Sequence, residues 1–347
     1  GICPKIIRWE LHNQCNLSCP HCRHHALDKR KSDDYPEFYK TKHEFGEEEI
    51  LNVIKEVAPY KPSFTLNVAN EPTIGKHFAY TLKKIKEYGM NGTFNTNGLK
   101  LTPKIANLLA DIEWDSVTVS VDAMTPESLM KARGIPFLEQ VHQAVFNLIE
   151  ARGNRKLPRI GVTFVDCEYN HHEIEPFLEF WKKHVDFIRT TGYIQDLVPD
   201  IEKIGGAHTR KEMPKDRLPC KQIFSDMVLR ANGDVTRCVI TSESPNLNDT
   251  VLGNIFEEGG ILNVWSNDEF SKIRDIHNNG GCGNLDHCNT CDYWIETLEM
   301  KEEVTDDFLI REPSAYTKFY NVKSKLDNWQ KDKVYDRQGL IVECLLD

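Results

Sequence analysis

Cys15-Asn16-Leu17-Ser18-Cys19-Pro20-His21-Cys22 places three cysteines in one short window, spaced C-x3-C-x2-C. The residues before it, Ile6-Ile7-Arg8-Trp9-Glu10-Leu11, read as a short buried strand. The cysteines therefore sit on the loop leaving the first strand of a larger fold. Iron–sulfur clusters are held by thiolates, ordinarily one per iron in a four-iron cluster. Three close cysteines hold three irons and leave the fourth open to a non-protein ligand. Zinc is the competing chemistry, with His21, His24, His25 or Cys3 as its fourth ligand.

Downstream, strands and helices alternate. After a polar stretch at 23–45, expected as a loop over the first cysteines, a helix is predicted over 47–57. Strands follow at 63–68, 92–95, 116–121, 160–165 and 186–190, with helices at 73–88, 102–110, 137–151 and 172–183 between them. Six strands alternating with helices predict an α/β fold built of βα units around a parallel sheet. An open doubly wound sheet and a partial barrel both fit that rhythm. No glycine-rich phosphate fingerprint follows the first strand, which weakens a dinucleotide-binding reading.

From residue 211 the character changes. Cys220 leads to Ile223–Arg230, then Ala231-Asn232-Gly233-Asp234, then Val235-Thr236-Arg237-Cys238. The Asn-Gly pair between two strand-like runs is a strong hairpin signal. The spacing is C-x12-G-x4-C, and a helical stretch at 261–277 leads to Cys282 and then to Cys288-x2-Cys291. A hairpin flanked by cysteines and closed by C-x2-C reads as a metal knuckle, for zinc or for iron–sulfur.

Composition narrows the class. The 347 residues suffice for one large domain and a small one. A net charge of −10 argues against a general nucleic-acid binder. No apolar run is long enough to span a membrane. No secretory signal is visible, so the clustering of eight of the eleven cysteines favours metal over disulfides and a reducing, cytoplasmic setting. Cys3, Cys167 and Cys344 stand outside the clusters and read as packed or incidental residues.

C-x3-C-x2-C after a first strand resembles the signature of the radical S-adenosylmethionine (SAM) enzymes. The late cysteines resemble the twitch domain, the shorter form of the SPASM domain, which follows such barrels and carries an auxiliary [4Fe-4S] cluster. His21 stands where the family usually has an aromatic residue. The resemblance implies a partial (β/α)6 barrel over 1–205, a small β-hairpin and helix iron–sulfur domain over 206–300, and a charged extension over 301–347 that matches nothing. It assigns Cys15, Cys19 and Cys22 to the SAM-binding [4Fe-4S] cluster, and Cys220, Cys238, Cys288 and Cys291 to the auxiliary one. Cys282 is left over.

On the strand ends, the resemblance implies SAM contacts at Glu71, Asn95, Asn97, Ser120 and Arg133, the last through the SAM carboxylate. Each is also readable as an ordinary cap or loop residue. Asp166, Tyr193, Gln195 and Asp226 are the candidates for substrate contact or proton transfer. The implied activity is reductive cleavage of SAM and removal of a substrate hydrogen. Its most direct use is dehydrogenation of a small, sugar-like molecule, with the auxiliary cluster accepting the electron. The alternative is a maturase that crosslinks, thioether-links or epimerises a precursor peptide. The barrel pattern begins almost at residue 1, without a preceding peptide-recognition domain, which counts against the maturase unless a recognition partner is separate. A flavodoxin- or ferredoxin-type reductant is the expected partner.

Overall fold

Among the described residues the strands are β1 (Ile6–Trp9), β2 (Ser63–Thr65), β3 (Asn91–Thr96), β4 (Ser116–Ser120), β5 (Arg159–Asp166), β6 (Phe187–Gly192), β7 (Asp226–Leu229), β8 (Asp234–Thr236), β9 (Val251–Asn254), β10 (Lys301–Val304), β11 (Phe308–Glu312), β12 (Thr317–Val322), β13 (Lys333–Tyr335) and β14 (Ile341–Glu343), the last two paired with each other. The structure is a computed structural model. It describes the chain apart from residues 23, 34, 193–216, 240, 242–249, 287, 290, 292–293, 295–300, 313–316, 329–332, 336–340 and 344–347. The chain divides into two compact units. The first joins Gly1–Cys15, Asp28–Gly92 and Glu212–Glu299; the second joins Asn16–Leu27, Thr93–Lys211 and Met300–Asp347.

In the first unit, β1 lies between β2 and β7 and is parallel to both. β8 and β9 follow β7 as an antiparallel meander. All four residues of β1 are buried, including Arg8. A buried guanidinium requires a partner, and the β1–β7 register supplies one. Arg8 donates from Nε and Nη2 to Asp226 Oδ2, at 3.2 and 2.9 Å. One residue past the strand, the fully buried Glu10 binds Arg230 Nε at 2.9 Å and accepts the Ala69 N–H at 3.2 Å. Arg230 also donates to Tyr39 Oη at 2.9 Å and stacks on the Phe38 ring at 4.3 Å.

The helix Glu47–Val57 buries Ile50, Val53, Ile54 and Val57, one face of a 3.6-residue period. Its N-terminus is closed by Glu49, which accepts the Gly46 N–H at 2.7 Å. The expected helix over 73–88 is broken. A short 3-10 turn, Pro72–Ile74, is followed by the helix Phe78–Glu87. Gly75 lies at the break, where a Cβ would stand 2.6 Å from the His12 ring, so the chain approaches β1's end too closely for a regular helix. The expected hairpin strand from residue 223 begins instead at Asp226. Gln222–Ser225 is a helical turn, and Asp226 opposite Ile6 is the first residue to pair with β1.

In the second unit, β3, β4, β5 and β6 are parallel neighbours in sequence order. β12 pairs antiparallel with β6, and β11 and β10 continue outward. Lys301–Val304, Phe308–Glu312 and Thr317–Val322, which match nothing as sequence, are therefore strands extending the β3–β6 sheet. The helices Pro103–Asp111 and Leu138–Arg152 pack together beside it. Asp186, fully buried, pairs with Arg152 and accepts the Ile160 N–H. A helix absent from the sequence reading, Pro126–Arg133, follows β4.

Removing one partner of a buried ion pair leaves an uncompensated charge. Glu10→Ala or Arg230→Met is expected to lower stability by about 3–5 kcal/mol, read by urea unfolding. A loss below about 1 kcal/mol would show that the pair does not anchor β1.

Candidate functional site

In the first unit, the chain leaves β1 and turns toward Cys15. Gln14 accepts the Glu71 N–H at 3.0 Å, so the loop after β2 is pinned to the residue before Cys15. Arg30 donates to the Cys15 carbonyl at 3.3 Å. Asn13 donates to the carbonyls of Phe38 and Thr41, at 2.6 and 2.8 Å, and accepts the His43 N–H. The stretch expected as a loop over the cysteines holds short helices, Leu27–Arg30 and Glu37–Lys40, and its later part is fastened to the end of β1. Glu71 is buried and caps the Pro72–Ile74 turn, accepting from Thr73 N and Oγ1 at 3.2 and 2.5 Å.

In the second unit, the Cys22 N–H donates to the Cys19 carbonyl at 2.9 Å, forming a tight turn. The Cys22 sulfur accepts the His25 N–H at 3.2 Å. The C-terminal end of Pro126–Arg133 lies against this loop. Arg133 Nη1 is 4.0 Å from the Cys19 sulfur. His21 lies half-buried against Ala132, and desolvation lowers its pKa to about 4. It fills the aromatic position by packing. Gly134 ends the helix at φ 71°, a left-handed residue that suits glycine, beside the Ser18 carbonyl and Pro20. Asn97 donates to Asn16 Oδ1 at 2.7 Å. Asn95 lies on β3 opposite Thr118, and Ser120 is the last residue of β4.

What aims Arg133 is Asp122. This fully buried aspartate has φ 61°, sparsely allowed for a residue with a side chain. Its Oδ2 accepts from Arg133 Nε at 2.7 Å, and its Oδ1 accepts the Val165 N–H at 2.8 Å. Glu173 fixes the other end of the helix by accepting from Met124 N, Thr125 Oγ1 and Ser128 Oγ. Asn170 bridges the Asp122 and Val165 carbonyls and takes the Cys167 N–H. Beyond it, Asp166 Oδ1 lies 2.9 Å from His171 Nδ1. Burial pushes the Cys167 thiol up to about 11. Tyr193 and Gln195 lie outside the described residues. Asp226 faces Arg8 and the Ser225 hydroxyl, at 2.9 and 2.6 Å.

The second cysteine group lies in the first unit. Cys291 N–H donates to the Cys288 carbonyl at 3.3 Å, the same C-x2-C turn as at Cys19 and Cys22. Cys238 donates its N–H to Thr241 Oγ1 at 3.1 Å, that hydroxyl donates to the Cys238 carbonyl at 3.0 Å, and the Cys238 sulfur lies 3.6 Å from the same oxygen. His277 and Arg237, both buried, border Cys288; neither was singled out from sequence, although His277 stands five residues before Cys282 on an inward helix face.

Among the described residues no disulfide forms, and no three His, Cys, Asp or Glu side chains close to metal-holding distance. The donors nonetheless suit thiolate-held clusters. Two C-x2-C turns and N–H groups aimed at sulfur are what such clusters require. Burial pushes the Cys19 thiol up to about 11, against the pull of Arg133; a bound metal supplies the charge that offsets this.

Residues 9–180 match the radical SAM superfamily, and residues 220–292 match an iron–sulfur cluster-binding domain, SPASM. The mycofactocin maturase MftC of Mycobacterium tuberculosis is 22% identical over 321 residues, spanning 83% of this chain and 77% of that protein. Streptococcus suis SuiB bound to S-adenosylmethionine has the same fold, with TM-score 0.60 and 15% identity over 84% of this chain and 71% of that one. BtrN in complex with AdoMet and 2-DOIA matches with TM-score 0.52 and 17% identity, over 83% and 92%. This chain belongs to the radical SAM superfamily and carries a C-terminal SPASM-type region. Its fold is the α/β partial barrel with that region appended, and its cofactors are SAM, a SAM-binding [4Fe-4S] cluster and an auxiliary [4Fe-4S] cluster. No helix among the described residues is long and apolar enough to cross a membrane.

Arg133→Lys keeps the charge but not the planar fork. On the SAM-carboxylate role that the resemblance implies for Arg133, it is expected to weaken SAM binding about tenfold, measured by equilibrium dialysis on reconstituted protein. Unchanged affinity with full iron content would remove Arg133 from the SAM site.

Proposed function

We propose that this radical SAM enzyme is a maturase that modifies a precursor peptide. The observation that carries this reading is the kinship to a maturase along 83% of the chain, through both cysteine regions. It replaces, as the preferred reading, the small-molecule dehydrogenation expected from cysteine spacing. That expectation keeps one support, the fold shared with BtrN.

Cys15, Cys19 and Cys22 would hold the SAM cluster; Cys220, Cys238, Cys288 and Cys291 would hold the auxiliary one. When bound, these groups supply the electron that cleaves SAM to methionine and a hydrogen-abstracting 5'-deoxyadenosyl radical, and an acceptor for the electron the substrate gives up. The chain's own residues then hold the reactants and take the proton. Glu71, Asn95, Asn97, Ser120 and Arg133, all at or after strand ends, would bind SAM, a carboxylate suiting its ammonium and a guanidinium its carboxylate. Asp166 is buried and turns His171 so that Nδ1 faces the carboxylate. His171, 63% exposed, is left with Nε2 free to accept a proton. Tyr193 and Gln195 remain candidates for substrate contact. Asp226 would act indirectly, by keeping Arg8 paired.

The test uses reconstituted enzyme, SAM and dithionite under anaerobic conditions. A pool of synthetic peptides and a pool of aminocyclitols are supplied separately. Peptide-dependent 5'-deoxyadenosine and a peptide mass lower by two hydrogens, both reduced in His171→Asn, are expected for oxidative crosslinking. A mass change confined to the aminocyclitols would restore the dehydrogenase reading.

A further inference from the structure

The SPASM-matching region contains five cysteines, and the spacing assigns four of them. Cys282 is the fifth, and a buried histidine organises the space around it. His277, 1% exposed, lies in the last turn of the helix Asp268–Asn278. Its Nδ1 accepts the backbone N–H of Cys220 at 3.3 Å. A nitrogen that accepts an N–H carries no proton, so the neutral ring keeps its hydrogen on Nε2. Nε2 is 3.9 Å from the Cys288 sulfur. The Cys282 sulfur is 3.2 Å from Nδ1 and 3.9 Å from the His277 carbonyl, both acceptors. The Cys282 sulfur therefore faces acceptors rather than the N–H groups that support a cluster thiolate.

A second donor reaches the same cluster cysteine. Arg237 Nη1 is 3.8 Å from the Cys288 sulfur and 3.2 Å from the Asp286 carbonyl, which fixes its aim. Two N–H groups thus converge on one sulfur from independent elements, a helix end and the strand-to-Cys238 connection. Hydrogen bonds to cluster sulfur and nearby positive charge stabilise the reduced, more negative state.

We propose that Cys288 is the tuned ligand of the auxiliary cluster: His277 and Arg237 donate to its sulfur and raise the cluster's reduction potential, while Cys282, which lies on the other side of the His277 ring, is not a ligand. The proposal rests on the assignment of Cys220, Cys238, Cys288 and Cys291 as ligands. Its consequence is a cluster biased toward accepting an electron. His277 and Arg237 are positioning residues in this scheme, acting through Cys288.

The test is run on the full chain carrying Cys15, Cys19 and Cys22→Ala, reconstituted anaerobically so that only the auxiliary cluster forms. Iron is counted and the midpoint potential is read by EPR-monitored titration. About four irons per chain are expected in this parent; none would overturn the ligand assignment itself. His277→Phe and Arg237→Met are each expected to keep the iron and move the potential downward, and His277→Gln, which retains an N–H donor, to recover part of the shift. Cys282→Ala is expected to keep about four irons, whereas Cys288→Ala loses them. Unchanged potentials in both donor variants would overturn the tuning. Iron loss in Cys282→Ala matching that in Cys288→Ala would overturn its assignment as a non-ligand. If His277→Phe cannot hold iron, Arg237→Met and Cys282→Ala decide by the same criteria.

Discussion

The Glu10–Arg230 ion pair is the contact on which the first unit depends. It joins residues separated by most of the chain, at zero exposure on the acid. Glu10 also receives backbone N–H groups from Ala69 and Ala231, and Arg230 reaches Tyr39. The end of β1, the loop after β2, the 38–43 segment and the β7–β8 turn are thereby set at one point. Two charges buried this deeply are costly unless every partner is present. Their satisfaction fixes the strand that delivers Cys15 relative to the hairpin that lies between Cys220 and Cys238.

In the second unit the corresponding constraint is Asp122. Its left-handed backbone is tolerated because its carboxylate, carbonyl and N–H are all engaged. What it achieves is directional: a guanidinium is held at the cysteine loop by one helix end, while Glu173 holds the other. The same principle recurs at the late cysteines, where Arg237 and His277 stand beside Cys288. In each unit a cysteine assigned to a cluster by the resemblance, Cys19 or Cys288, has a buried arginine next to its sulfur. Arginine suits this because its charge persists when buried and its fork is directed.

Much of this was legible in the sequence. The βα rhythm placed β1 to β6 because buried β-branched strands and capped amphipathic helices have strong periodic signals. Cysteine spacing identified the superfamily and the SPASM-type region. The helix Pro126–Arg133 was overlooked although its signals are present: Thr125 as cap, Pro126 at the first position and Gly134 past the end. β10 was illegible for a physical reason; all four of its residues are exposed, so no alternation marks it. Pairings such as Arg8 with Asp226, or His277 with Cys288, depend on register between distant segments, which spacing along one chain does not encode. Asp226, read from its strand as a candidate for substrate contact or proton transfer, stands opposite Ile6 and accepts from the buried Arg8. The choice between peptide and small-molecule substrate was likewise beyond the cysteine pattern, because the same clusters serve both chemistries.

The central claim is that two separate cysteine groups hold two clusters, one of which works on SAM. The most direct measurement is iron and sulfide per chain after anaerobic reconstitution, together with 5'-deoxyadenosine formed from SAM and dithionite. It is made on the native chain and on the Cys15, Cys19, Cys22→Ala variant. The account predicts about eight irons with SAM cleavage in the first, and about four irons without cleavage in the second. Bound zinc with only about four irons in the native chain would contradict the auxiliary cluster, and no iron at all would contradict the whole account.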